Sequence, residues 1–70
     1  MNAADTERQA LILALRAATG INYGVAVSKG KFQLEIVNYN RGTKKPVEVT
    51  KVGQALVEAE FMEFLRNFKG

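Results

Sequence analysis

The side chains that most often serve as bases, nucleophiles and soft metal ligands are missing from this chain: its 70 residues include neither histidine nor cysteine. Imidazole and thiolate chemistry are excluded with them, as are disulfides and the zinc sites those ligands build. Ser28, the single serine, stands beside lysines with no candidate triad partner. A paired-carboxylate mechanism needs two acids in one cleft. Here Asp5 is the only aspartate, and Glu7, Glu35, Glu48, Glu58, Glu60 and Glu63 are spread along the chain. Glu60 and Glu63 are three residues apart on one helix, the spacing of ordinary solvated pairs. Gly20, Gly24, Gly30, Gly42, Gly53 and Gly70 form neither a dinucleotide fingerprint nor a Walker loop. The expectation is a domain that binds rather than catalyses, with no metal and no cofactor.

Charge indicates what it binds. The net charge is +3, and the excess sits in the middle third. Residues 29–51 carry Lys29, Lys31, Arg41, Lys44, Lys45 and Lys51 against Glu35 and Glu48, while the segments on either side are neutral or slightly acidic. Segregated positive charge is the footprint of an anionic partner. Tyr39 lies inside this segment and can stack on a base or lie against a sugar. The candidate nucleic-acid-binding set is therefore Lys29, Lys31, Tyr39, Arg41, Lys44, Lys45 and Lys51. Contact made from loops would fall mainly on backbone phosphate and read sequence weakly. An acidic protein surface is the other partner this charge fits.

The elements that must position these residues follow from local pattern. A helix is predicted from about Ala3 to Thr19, built from strong helix formers and stopped at Gly20. Asn2, Asp5 and Thr6 offer N-cap oxygens. Leu11, Ala14, Leu15 and Ala18 form one apolar stripe, with Ile12 and Leu13 off it. Residues 21–28 then alternate, with Ile21, Tyr23, Val25 and Val27 on one face, as a strand does. Ser28-Lys29-Gly30-Lys31 reads as a tight turn into a second strand carrying Phe32, Leu34 and Ile36. A polar loop from Asn38 to Lys45 ends at Pro46, and Val47 and Val49 make a short third strand. Thr50 then caps a last helix expected from about Lys51 to Asn67. That helix shows two apolar stripes: Val52, Ala55, Leu56, Ala59 and Met62 on one side, Val57, Phe61, Phe64, Leu65 and Phe68 on the other. The second stripe is either core against the first helix or a protein interface.

The fold class expected is α+β, in the order helix, three-stranded antiparallel meander, helix. Seventy residues make one domain. A chain this short hides only roughly 60% of the surface its unfolded form exposes. Without cysteine or a metal, a homodimer is the remaining source of extra burial. The longest apolar run, Ala10 to Leu15, is far shorter than a membrane span, and a soluble, cytoplasmic protein is expected.

Two partial resemblances sharpen this. Residues 47–56, Val-Glu-Val-Thr-Lys-Val-Gly-Gln-Ala-Leu, resemble the last wing strand and following helix of winged-helix DNA-binding domains. Arg41-Gly42-Thr43-Lys44-Lys45 would then be the wing tip, so that residues 41–56 carry the likeness. The element order is similar to that of a double-stranded-RNA-binding domain, which touches RNA through its first helix, first hairpin loop and the start of its last helix. That resemblance implies contacts from Lys29, Lys31 and Lys51. The two functions expected are a small nucleic-acid-binding accessory protein working through basic loops, or an assembly or inhibitor module, such as phages and mobile elements encode, working through the apolar face of the last helix.

Overall fold

A computed structural model of the chain describes residues 3–68. It contains α1 (Ala3–Thr19), β1 (Tyr23–Ser28), β2 (Lys31–Tyr39), β3 (Pro46–Val57) and α2 (Glu58–Asn67). The strands form one antiparallel sheet in the order β1-β2-β3. This is the expected α+β class and the expected order of elements.

α1 ends where Gly20 takes φ +72° and its N–H donates to the Arg16 carbonyl at 2.8 Å. Thr19 Oγ1 donates to the Leu15 carbonyl and accepts from the Ile21 N–H, which closes the last turn. At the other end, Asp5 and Thr6 lie inside the helix rather than before it, and Asn2 lies outside the described residues. The buried face is centred on Ile12, with Leu11 and Leu15 packed beside it. Ala14 and Ala18 are exposed, a correction to the stripe read from spacing. The long side chains at 11, 12 and 15 give more contact area than the alanines, and they set the rotation of the helix.

The β1–β2 hairpin follows the expected alternation over Tyr23–Ser28, whereas Ile21 lies before the strand and both Ile21 and Val27 are exposed. Val25 stands opposite Leu34 and Tyr23 opposite Ile36. Lys29 (φ 52°) and Gly30 (φ 76°) both take left-handed backbone in the turn, the combination that matches strand twist in a two-residue hairpin.

The expected start of the last helix is wrong. Residues 51–57 are strand: Lys51 pairs with Glu35, Val52 with Leu34, Leu56 with Phe32 and Val57 with Lys31. The spacing of Val52 and Leu56 misleads, because residues four apart share a face in a strand as well as in a helix. β-Branched Val47, Val49, Thr50 and Val52 favour the strand. Gly53 (φ +73°) occupies an irregularity between the Leu34 and Phe32 levels, and its left-handed backbone returns β3 to register. α2 consequently begins at Glu58 with Val57 as N-cap, whose side chain makes no capping hydrogen bond. Replacing Val57 with serine should stabilise the fold by about 0.5–1 kcal/mol, read as a raised urea midpoint at unchanged slope.

Both helices lie on one face of the sheet. Ile12, Tyr23, Leu34, Phe61 and Leu65 form the buried centre, flanked by Val25, Phe32, Ile36, Val52, Leu56, Phe64 and Phe68. A run of rings crosses it, Phe32–Phe61–Phe64–Phe68–Tyr23, with centroids 5.3–6.4 Å apart. Arg8 ties α1 to this core. Its guanidinium sits 4.5 Å from the centre of the Phe32 ring and bridges Asp5 at 2.7 Å and Glu58 at 3.7 Å. Further along, Arg66 joins the two helices by pairing with Glu7, and with Glu63 on its own helix. The hydrogen bond and charge of Glu7, then those of Glu63, hold the Arg66 guanidinium above its ordinary range.

Candidate nucleic-acid interface

The sheet is wider at one end than at the other, and that asymmetry builds the site. β1 starts at Tyr23, opposite Ile36. Beyond this level β2 and β3 continue without a third strand, pairing Val37 with Val49, Asn38 with Glu48 and Tyr39 with Pro46. Asn22 finishes the β1 edge: its carbonyl accepts from the Val37 N–H, and its Nδ2 donates to the Val37 carbonyl, both at 3.0 Å. No core residue falls between Val37 and Lys51, and every residue from Asn38 to Lys51 is exposed. The result is a two-stranded arm that leaves the helix-covered body.

Asn40 organises its tip. Its Oδ1 accepts from the N–H groups of Gly42 (2.8 Å) and Thr43 (3.1 Å). Its carbonyl accepts from the Lys44 N–H at 2.8 Å, and its own N–H donates to the Lys45 carbonyl at 2.9 Å. Lys44 takes φ 59°. The tip is thus a hydrogen-bonded structure, and it presents Arg41, Lys44 and Lys45. Among the described residues none of these three takes part in an ion pair. Tyr39, 51% exposed, is the last residue of β2 and stands next to them.

The other candidates are elsewhere. Lys29 and Lys31 lie at the opposite end of β2, about 26 Å from Tyr39 at ~3.3 Å per strand residue. Lys51 is in mid-strand, not at a helix N-terminus, and its Nζ is 2.7 Å from Glu35 Oε2. The basic stretch of sequence therefore becomes two separate clusters and one neutralised lysine. Only Tyr39, Arg41, Lys44 and Lys45 come together.

The candidate protein-interface set also divides. Phe61 and Leu65 are buried in the core, Phe64 and Phe68 are half-buried, and Val57 is exposed at the end of β3. Met62, from the other stripe, is buried too. Leu56, Phe64 and Phe68, with Glu60, Glu63 and Asn67, line an open groove of about 560 Å³ beside α2.

Reading the sequence missed Val37, which is buried and pairs with Val49 on the sheet face opposite the helices, and the role of Asn40. No family model matches the chain, and neither curated proteins nor solved structures give a match. Among the described residues no helix is long and apolar enough to cross a membrane, and no cluster of acidic side chains is arranged to hold a metal.

Proposed function

We propose that this chain is a small non-enzymatic nucleic-acid-binding protein that engages phosphate backbone through the β2–β3 arm. The observation that carries the reading is the tip itself: three cations that, among the described residues, take part in no ion pair, and an exposed tyrosine beside them at the end of a two-stranded ribbon. A two-stranded ribbon fits the major groove of duplex DNA. Arg41, Lys44 and Lys45 would neutralise phosphates, and Tyr39 would stack on a base or lie against a sugar. Lys29 and Lys31, at the far end, would touch only a long or bent nucleic acid.

Fluorescence anisotropy with single- and double-stranded oligonucleotides across a salt series tests this. Three phosphate contacts predict a log–log salt slope of about −3 on duplex DNA. Changing Lys44 and Lys45 to glutamate should weaken binding by at least about tenfold and flatten the slope, with less loss from the same change at Lys29 and Lys31. Absence of binding at low salt rules the reading out. In that event the groove beside α2, lined by half-buried Leu56, Phe64 and Phe68, supports the second reading, an assembly or inhibitor module.

A further inference from the structure

We infer that the outer edge of β3 is the seam on which a second copy of this chain docks, strand to strand, about a two-fold axis at Thr50. The inference goes beyond the nucleic-acid reading and does not depend on it.

Area is the first reason. The chain exposes 4977 Å², whereas a monomer of its mass is expected to expose about 4,300 Å². The excess approaches the ~800 Å² that each partner buries in a standard interface. The place of the excess is the second. β3 borders the sheet on the side away from β1, and its arm segment belongs to a two-stranded ribbon, a structure of marginal stability in water. Val47 and Val49 on it are 65% and 46% exposed.

Register is the third. From Glu48 to Val52, β3 is regular, and the irregularities lie outside this run, near Pro46 and Gly53. An isologous antiparallel pairing of this run sets Thr50 against the second copy's Thr50, Val49 against its Lys51 and Glu48 against its Val52. No like charges meet, and a threonine pair of this kind is favourable.

The experiment is sedimentation of the full chain, without nucleic acid, across a concentration range. The expected species has twice the 7.7 kDa mass of the chain. Val49→Lys places lysine opposite Lys51 of the second copy, twice by symmetry, and should weaken association by about tenfold or more. Val49→Glu faces the same lysine and should retain the dimer. Position 49 is exposed, so both variants should keep the wild-type far-UV circular dichroism. A wild-type chain that sediments at 7.7 kDa at hundreds of micromolar overturns the inference. So does a pair of variants that associate equally. Both substitutions lie away from the arm tip, so a failure here leaves the nucleic-acid measurement to stand or fall by itself.

Discussion

Phe61→Ala should cost about 3–5 kcal/mol, a large share of the stability of so small a domain. Phe61 is fully buried, its ring stacked at 5.7 Å on Phe32 and 6.4 Å on Phe64. Truncation would open a cavity where the sheet, α2 and the aromatic run meet. Ile12, Leu34 and Leu65 are held by the same cluster and cannot all move in to fill it. A domain of this length has a total stability of roughly 4–10 kcal/mol, so one such loss is decisive. Urea unfolding followed by circular dichroism reads it directly. Leu13→Ala, at a position 51% exposed, is the control and should change stability by no more than about 1 kcal/mol. Equal effects at the two positions would mean that Phe61 is not the centre of the core.

The second large effect is expected at Gly53. Alanine there meets two penalties. Backbone at φ +73° costs an L-residue about 1–2 kcal/mol. The added Cβ would also lie 3.2 Å from Cζ of Phe64 and 3.5 Å from its Cε1, so the ring must shift within the aromatic run. Gly20 has almost the same φ, +72°, with nothing within 4 Å of an added Cβ. Gly20→Ala thus isolates the backbone term. Gly53→Ala should be the more destabilising by about 1 kcal/mol or more, for a total of roughly 2–3 kcal/mol. If the two midpoints coincide, Phe64 yields freely and the bulge is not locked against α2.

α1 and the β1–β2 hairpin were legible because their signals are local. Strong helix formers end at Gly20, apolar residues alternate from Tyr23, and Lys29-Gly30 demands a tight turn. The boundary between β3 and α2 was not. Val52 and Leu56 satisfy both periods, and what decides between them is pairing with Leu34 and Phe32, some twenty residues earlier. The candidate site was half legible for a similar reason. Lysines near in sequence look like one patch, yet β2 is long enough to carry Lys31 and Tyr39 to opposite ends of the sheet. The neutralisation of Lys51 by Glu35 is a cross-strand contact that no run of charges reveals. The point at which β1 begins, just after Asn22, is what turns the remainder of β2 and β3 into an arm.

Because the arm beyond Val37 contributes nothing to the core, its length is a free variable. Adding one residue to each of its strands would extend its reach by about 3.3 Å and turn the tip over, presenting Arg41, Lys44 and Lys45 to the other side. Adding two to each would extend it by about 7 Å and restore the original orientation. The hairpin thus acts as a ruler graduated in paired residues, along which reach and facing can be reset while the helix-covered body stays unchanged.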